Sequence, residues 1–281
     1  MAEGMPLSQR SEKLLPTQRQ SLILDVLAEK GIVTLQLLSE RLGSSFSTVR
    51  RDLDELARKG LVERTHGGAS LGPLAQGRSD DDSRSPTHSI QTAKESIGRL
   101  AAACIRNGDS VIFDSSTTVL EAVRVVVNSR MRITAVTNNI KIAELLSGSE
   151  GIKLIVPGGS RRSGTNVLAG EPGDSFLRRL HADIAFIGAQ SASNGMLNDT
   201  RVESATGKRL LMAAARTRIL LIDSWKFGGP SFCDVTPLTD FDEIITDDGL
   251  SDEQRLDLQQ RGILVQTERT SRGRPAPPSR T

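Results

Sequence analysis

Apolar residues recur with the period of an α-helix in three consecutive segments near the start of the chain. Repeats at i, i+3, i+4 or i+7 predict three short amphipathic helices, each with one buried face. The three stripes are Leu22, Ile23, Val26 and Leu27, then Leu35, Leu38 and Leu42, and then Val49, Leu53 and Leu56. Glycines follow the first two stripes, at Gly31 and Gly43, and glycine is a common residue at the end of a helix.

The third predicted helix carries polar side chains opposite its apolar stripe. At the helical spacing this outward set is Ser47, Arg50, Arg51, Asp54 and Arg58. Two short helices joined by a tight turn, the second with a basic outer face, are typical of a helix-turn-helix, whose second helix enters the DNA major groove. Arginine suits that place because its guanidinium bonds two acceptors of a guanine or a phosphate. The alternative is a solvated face, with Arg51 paired to Glu55 at i+4.

A hairpin is predicted directly after this helix, in the sequence LVERTHGGASL. Gly67 and Gly68 separate two short extended runs and allow the positive φ angles of a tight turn. A hairpin in this position makes a winged helix-turn-helix, and Arg64 and His66 then lie near the wing, where they can contact phosphate or the minor groove. For His66, a neutral imidazole that caps the turn is an equal alternative.

From about Thr92 onward, short apolar runs alternate with helix-period segments. This alternation predicts an α/β domain with a mostly parallel sheet and helices on both faces. The predicted strands are 111–114, 133–137, 152–156, 183–188, 219–223, 243–246 and 263–265. The predicted helices are 93–106, 118–127, 140–147, 171–180, 204–216 and 251–261.

Polar and glycine-rich loops follow the predicted strands, where ligands of open α/β sheets bind. Ser115–Thr118 supply hydroxyls and N–H groups where a helix begins, which favours an anion. Gly158 and Gly159 permit close backbone approach, and Lys208 and Lys226 can supply charge to a phosphate. Each feature also has a simpler interpretation: helix caps, a plain turn and an exposed lysine.

Composition narrows the classes of function. The chain has 281 residues and a net charge of only +2, so a polyanion site must be a local patch. Cys104 and Cys233 are far apart and have no second ligand at metal spacing, so we expect reduced thiols, no metal and no cofactor. The chain has neither a signal-peptide pattern nor an apolar run of membrane-spanning length, and we expect a cytoplasmic protein with no membrane partner.

Composition also predicts the domain organisation. Polar stretches rich in Gly, Pro and Ser mark a linker, and stretches poor in apolar residues mark the flexible ends. The predicted segments are a leader at 1–16, a winged helix-turn-helix domain at 17–71, a linker at 72–91, an α/β domain at 92–266 and a disordered basic tail at 267–281.

The first domain resembles the DNA-binding domain of the DeoR-type family of bacterial transcription regulators. The similarity rests on STVRRDL at Ser47–Leu53, the glycine at Gly60 and RTHGGA at Arg64–Ala69. By this resemblance the recognition helix contains Ser47, Thr48, Arg50 and Arg51. Phe46 departs from the family pattern, in which a smaller apolar residue is usual, and this affects the seating of the helix.

The second domain resembles the same family over roughly residues 92–250. The similarity rests on IFDSSTT, TNN, PGG, DIAFIGA, Lys208 and DSWKFG. The resemblance implies a fold similar to sugar-phosphate isomerases and an effector pocket formed by Asp114, Ser115, Ser116, Thr117, Thr118, Asn138, Gly158, Gly159, Lys208 and Lys226. Ser116, where the family often has glycine, and Gly207, which precedes Lys208 within a helix, depart from the pattern.

The resemblance implies a repressor of carbohydrate metabolism genes that binds operator DNA as a homodimer or homotetramer and responds to a phosphorylated sugar or related metabolite. Two alternatives stay open. One is a sugar-phosphate isomerase-like enzyme that carries a DNA-binding domain, for which Glu203 and Asp199 are the candidate bases. The other is an architectural DNA-binding protein without a ligand, which fits poorly with so large an α/β domain.

Overall fold

The computed structural model describes residues 16–30, 32–58, 61–65, 67–71, 86–162, 165–228 and 231–268. The described residues form two compact units, divided between Thr87 and His88, and each is described by itself. The first unit contains α1 (Pro16–Lys30), β1 (Ile32–Thr34), α2 (Leu35–Leu42), α3 (Phe46–Arg58), β2 (Val62–Thr65) and β3 (Gly68–Leu71).

The helices of the first unit begin and end at the residues that local chemistry favours. The Thr34 hydroxyl accepts a hydrogen bond from Leu37 N at 3.2 Å and caps α2, which ends at Gly43 with φ 56°. Ser45 caps α3, because its Oγ accepts from Thr48 N at 3.3 Å. These caps set the tight turn between α2 and α3 that a helix-turn-helix requires.

The strands of this unit form an antiparallel sheet in the order β1-β3-β2. Strands β2 and β3 are the predicted hairpin, and β1 was not predicted because three residues between two helices are too few to show alternation. Gly67 has φ 90°, as the turn requires. Gly68 is needed for a different reason: a Cβ atom there would lie 2.0 Å from the Val33 carbonyl oxygen. The turn of the hairpin therefore packs closely against the backbone of β1.

The second unit is built around seven strands in the order β15-β14-β12-β9-β4-β5-β6, all parallel. Its helices are α4 (Pro86–Ala103), α5 (Thr117–Asn128), α6 (Ile140–Ser147), α7 (Gly173–Leu177), α8 (Val202–Ala213) and α9 (Asp252–Gln260). The strands of the sheet are β4 (Ser110–Phe113), β5 (Ile133–Thr137), β6 (Ile152–Ile155), β9 (Ala182–Gly188), β12 (Ala215–Leu221), β14 (Glu243–Ile245) and β15 (Val265–Gln266). The predicted parallel α/β fold is confirmed.

Two apolar layers enclose this sheet. Val111 and Phe113 of β4 belong to a cluster with Ile97 of α4, and the intervening Ile112 belongs to a cluster with Leu211 of α8. Successive side chains of a strand point to opposite faces, so both faces of β4 are buried under helices. Burial on both faces explains why Val111–Phe113 of β4 form a continuous apolar run in the sequence.

Two small antiparallel elements complete the second unit and were not predicted. One is the hairpin β7 (Ser160–Arg161) and β8 (Leu168–Ala169). The other is a sheet of β10 (Ser191–Ser193), β11 (Met196–Asp199) and β13 (Cys233–Pro237). Its hairpin turn is Asn194-Gly195, both with positive φ, which is the strongest short-range hairpin signal.

The described ends of the second unit differ slightly from the predicted segments. Helix α4 begins at Pro86, inside the stretch 72–91 that composition indicates as a linker. At the other end, Thr267 is fully buried, and Glu268 accepts a hydrogen bond from Arg99 at 2.7 Å. These first two residues of the predicted tail are therefore packed. No helix in the described residues is long and apolar enough to cross a lipid bilayer.

Candidate nucleic-acid interface and candidate effector site

The outer face of α3 presents the residues that helical phase predicts. Ser47, Arg50 and Arg51 are exposed and Thr48 is half-buried, whereas Val49, Leu53 and Leu56 are buried. The Ser45 hydroxyl lies 2.9 Å from that of Ser47 and 2.8 Å from that of Thr48. The first turn of the helix thus carries a linked set of hydroxyls beside two exposed guanidinium groups.

Buried polar contacts hold α3 against α1. Arg19 donates to both carboxylate oxygens of Asp52, at 2.6 and 3.1 Å, in a buried bidentate pair. The Gln20 amide donates to Glu55 at 2.8 Å, so the carboxylate proposed as an alternative partner of Arg51 is engaged with α1. A bidentate pair fixes orientation as well as distance, so the angle at which α3 presents its outer face is set from within the domain.

The wing contacts the recognition helix through charge. Arg64 Nε of β2 lies 3.4 Å from Asp54 Oδ1 of α3, and both side chains are partly exposed. An exposed pair of this kind contributes little to stability, about 0–1 kcal/mol. It does hold Arg64 on the side of α3 that also carries Arg50 and Arg51. His66, the other predicted wing residue, lies outside the described residues.

In the second unit, Asp114 and Lys208 form a buried ion pair at the carboxyl ends of the strands. Asp114 follows β4, and Lys208 comes from α8. Gly188, at the end of the adjacent β9, joins both groups: its N–H donates to Asp114 Oδ2 at 3.0 Å and its carbonyl accepts from Lys208 Nζ at 2.8 Å. Gly188 is required here because a Cβ atom would lie 2.1 Å from Ser116 Cβ.

A second buried ion pair lies at the end of the next strand, β12. Lys226 Nζ is 3.1 Å from Asp223 Oδ2 and donates to the Ala189 carbonyl at 2.9 Å. Thr118 Oγ1 lies 3.4 Å from the same Asp223 oxygen. Burial opposes ionisation of Asp223, but the positive charges of Lys226 and Lys94 outweigh it and lower the pKa of this carboxyl group. Asp223 is therefore held as a carboxylate among lysines.

Lys94 brings a third buried ammonium group to this edge. It lies on α4, and its Nζ donates to Thr117 Oγ1 at 3.0 Å. Thr117 is the first residue of α5, and Ser116 caps that helix by accepting from Val119 N at 3.0 Å. Ser115 is half-buried between Asp114 and this cap. The loop 114–118 therefore contacts Lys208 through Asp114 and Lys94 through Thr117, and Thr118 reaches Asp223, the ion-pair partner of Lys226.

The remaining predicted residues lie toward the neighbouring strands β5 and β6. Asn138 follows β5, and its side-chain amide donates to the Leu168 carbonyl at 3.2 Å, which attaches the β7–β8 hairpin to this edge. Gly158 and Gly159 follow β6 with φ values of 94° and 108°. A Cβ atom on Gly159 would lie 2.7 Å from the Ala169 carbonyl oxygen. These glycines thus fold the hairpin back, and the contacts do not join them directly to the lysine cluster.

Two carboxylates near α8 differ in environment. Asp199, at the end of β11, is buried; burial raises its pKa, Lys208 opposes that shift, and Asp114 adds to it. Glu203, in the first turn of α8, is exposed. The raised pKa means that the Asp199 carboxyl group keeps its proton to a higher pH than an ordinary aspartate does.

The arrangement as a whole suits an anion that also carries hydroxyl groups. Burying an ammonium group costs several kcal/mol unless it is paired. Here Lys94, Lys208 and Lys226 lie beside the amino-terminal end of α5, whose N–H groups and dipole favour negative charge. Within the described part of the chain, Asn138 Oδ1 and Asp223 Oδ1 are buried acceptors that receive no hydrogen bond. Such acceptors match the hydroxyl groups of a sugar.

The amino-terminal edge of the same sheet has a cavity of about 730 Å³, lined by residues including Arg130, Arg132 and Glu150. It lies at the opposite edge of the sheet from Lys94, Lys208 and Lys226. There the charged side chains contact one another in ion pairs. Buried charge and unpartnered acceptors, rather than open volume, identify the carboxyl-terminal edge as the candidate site.

The sequence prediction missed Lys94 and did not give Asp223 a role. Lys94 lies on α4 three residues before the buried Ile97, so helical spacing places it on the apolar face of the helix. A lysine on an apolar face indicates a buried charge, and the sequence therefore contained a signal for this residue. Asp223 was recognised only as a strand end. It precedes a single-turn 3-10 helix, Ser224–Lys226, which brings Lys226 back to it, and apolar periodicity does not predict so short a helix.

Each of the two units matches the model of a known protein family. Residues 19–72 match the DeoR-like helix-turn-helix domain, and residues 89–248 match the DeoR C-terminal sensor domain. The HTH-type transcriptional regulator YgbI of Escherichia coli K12 is 34% identical over 260 residues, which cover 90% of this chain and 98% of that protein. The glycerol-3-phosphate regulon repressor of the same organism is 31% identical over 233 residues, which cover 82% and 90%.

Among solved structures, ribose 5-phosphate isomerase A from Methanocaldococcus jannaschii matches 49% of this chain and 55% of its own, with 16% identity and a TM-score of 0.38. The two family matches together span both compact units, and the relatives are similar over nearly their whole length. The chain therefore belongs to the DeoR family of transcription regulators.

Proposed function

We propose that this protein is a sequence-specific DNA-binding repressor of carbohydrate metabolism genes. The observation that carries this proposal is the first two turns of α3, where Ser47, Arg50 and Arg51 are exposed on one side while the opposite side packs into the core. Exposed arginines at the start of a recognition helix can bond guanine edges and phosphates. The relatives named above are regulators, one of them a repressor.

The proposed partner is double-stranded operator DNA, bound by a homodimer or homotetramer in the cytoplasm. One recognition helix reads only a few base pairs, so specificity on a chromosome needs two or more half-sites. Ser47, Thr48, Arg50 and Arg51 are the proposed contacts of α3, and Arg64 and His66 are the proposed contacts of the wing.

The proposed effector is a phosphorylated sugar or a related metabolite bound at the carboxyl ends of the strands. Three buried lysines and the start of α5 supply the positive potential for a phosphate, and the buried acceptors of Asn138 and Asp223 suit hydroxyl groups. Binding must exchange contacts, because Lys208 and Lys226 are each paired with an aspartate. An effector regulates only if it binds the DNA-competent and DNA-incompetent arrangements with different affinity.

Selection of binding sites from a random DNA pool tests the first part. We expect the wild-type protein to select a repeated half-site, and Arg51→Ala to weaken binding to it by about 1–3 kcal/mol with an unchanged melting temperature. Arg58→Ala, an exposed arginine at the far end of α3, is the matched control. Equal effects of both variants on sequence preference would contradict the assignment.

Trp225 provides a direct test of the effector site. It is the only tryptophan of the chain, and Lys226 Nζ lies 5.5 Å from the centre of its ring. We expect selected sugar phosphates, but not the free sugars, to change its fluorescence, to raise the melting temperature and to alter operator affinity. Thr117→Ala and Lys94→Met, which remove a contact of the loop 114–118, should weaken the response. An unchanged titration curve would count against this site.

The enzymatic alternative has a specific test. Asp199 has the environment of a tuned acid, so purified protein should be assayed for isomerisation of pentose and hexose phosphates, with Asp199→Asn and Glu203→Gln as controls. We expect no turnover that depends on either carboxyl group. Turnover abolished by Asp199→Asn would establish an enzyme.

A further inference from the structure

We propose that Phe46 reads the 5-methyl group of a thymine in the major groove of the operator. This inference rests on the proposed DNA-binding function and extends it from phosphate and guanine contacts to a named base. It makes Phe46 a residue that determines sequence preference.

Phe46 is exposed at the start of the proposed recognition helix. It is the first residue of α3, and 53% of its surface is exposed. The helix core is formed without it, because Val49, Leu53 and Leu56 occupy the apolar face of α3. The cap does not require it either, since Ser45 supplies the capping oxygen. Among the described residues of the first unit, neither the apolar face of α3 nor its cap therefore accounts for a phenyl ring at this position.

Helical spacing places Phe46 among the proposed DNA contacts. Arg50 lies four residues later, so both side chains lie on one side of the helix about one turn apart. Ser47 is adjacent and exposed. The ring is thus bordered by a guanidinium group and hydroxyls, which complement the negative and polar walls of a DNA groove. An isolated apolar ring within a basic, polar surface fits that groove better than an apolar protein partner.

The major groove offers one apolar group to such a ring. Thymine carries a C5 methyl group there, whereas the other bases present hydrogen-bond donors and acceptors, and phenylalanine has neither to offer in return. Arg50 beside it suits the O6 and N7 acceptors of a guanine. The geometry therefore predicts a half-site in which a thymine lies within one or two base pairs of a guanine that depends on Arg50.

Replacing thymine by deoxyuridine tests the contact, because this change removes only the methyl group. Operator fragments selected from the random pool are synthesised with each thymine replaced in turn, and affinity is measured by fluorescence anisotropy. We expect one thymine per half-site at which deoxyuridine weakens wild-type binding about three- to five-fold, the effect of losing one buried methyl group. Phe46→Ala should bind the thymine and deoxyuridine operators equally.

Ile32→Ala is the matched control, because Ile32 is 68% exposed in the same unit but lies on β1, at the end that pairs with Ser70 and not at the hairpin turn. It should retain the full discrimination between thymine and deoxyuridine. Loss of discrimination in Ile32→Ala, or its retention in Phe46→Ala, overturns the inference. So does a wild-type protein that binds its operator with no deoxyuridine effect.

The alternative partner of the exposed Phe46 ring is a second copy of this chain. If Phe46→Ala changes the sedimentation coefficient and leaves the deoxyuridine effect intact, Phe46 belongs to a protein interface and the inference is wrong. A failure of the random-pool selection to yield any half-site would instead contradict the proposed DNA-binding function itself. The two failures are therefore distinguishable.

Discussion

The two units of this protein keep their candidate functional side chains in opposite environments. In the first unit, Arg50 and Arg51 are exposed on a helix whose other face is core. In the second, Lys208 and Lys226 are buried and paired with aspartates. Removing an exposed arginine changes what the surface binds, whereas removing a buried lysine leaves a carboxylate without a counter-charge. Function and stability are thus separable in the first unit and coupled in the second.

This difference has a physical basis in the ligands proposed. A DNA duplex is a large, preformed polyanion that must be met at a surface. A small metabolite is distinguished from water and from competitors mainly by groups that are already desolvated and oriented. The internal pairs Asp114–Lys208 and Asp223–Lys226 keep such charges buried at an acceptable cost until a ligand replaces one partner.

The largest expected effect comes from Lys208→Met, which keeps the side-chain volume but leaves Asp114 buried without its ammonium partner. We expect the free energy of unfolding of the second unit to fall by about 3–5 kcal/mol, measured by urea titration with Trp225 fluorescence. Lys153→Met, at an exposed lysine on β6, is the matched control and should change it by less than about 0.5 kcal/mol. Equal stability of the two variants would remove the contrast between the units.

A second test uses pH to separate two buried aspartates. The lowered pKa of Asp223 means that its stabilising contribution is present above its ordinary pKa of 3.8 and is lost as pH falls through the lower value of the folded state. Asp223→Asn should therefore destabilise the second unit at neutral pH, by roughly 3 kcal/mol, and flatten its acid dependence. Urea titrations at neutral pH and at several pH values below 3.8 measure both; an unflattened profile would refute the role of Asp223.

Asp199 should behave in the opposite sense in the same titrations. Its pKa is raised, so its contribution is present below 3.8 and is lost as pH rises through the higher folded value. Asn resembles the protonated acid, so Asp199→Asn should leave the second unit as stable or more stable at neutral pH. Destabilisation comparable with that of Asp223→Asn would show that both carboxyl groups are needed as charges.

The smallest effect is expected in the first unit, from Asp54→Asn. This change removes the carboxylate beside Arg64 and should alter stability by less than about 1 kcal/mol, because the pair is exposed. It should strengthen binding to any DNA a few-fold at low salt, since one negative charge near the phosphates is lost. Salt titrations of operator and random DNA measure this. Weaker binding would mean that Asp54 instead holds the wing in its productive position.

Much of the fold follows from local pattern. Strand β5 and helix α6 occupy the predicted residues 133–137 and 140–147 without change, because a buried apolar run and an amphipathic period are strong local signals. Strands β7, β8 and β10 are two or three residues long, and such short strands form only when a partner is present. The Asn194-Gly195 turn was a local signal that was available and not used.

By itself, the sequence determined which side of α3 is exposed, the parallel α/β class of the second unit and the strand ends at which polar residues gather. Those properties follow from side-chain periodicity within one element. The tertiary structure alone decided that Lys94 reaches the loop 114–118, that Gly188 bonds both members of the Asp114–Lys208 pair, and that Phe46 is left outside the core. Such contacts join residues far apart in the chain, and their strength depends on burial, which a pattern along one element does not encode.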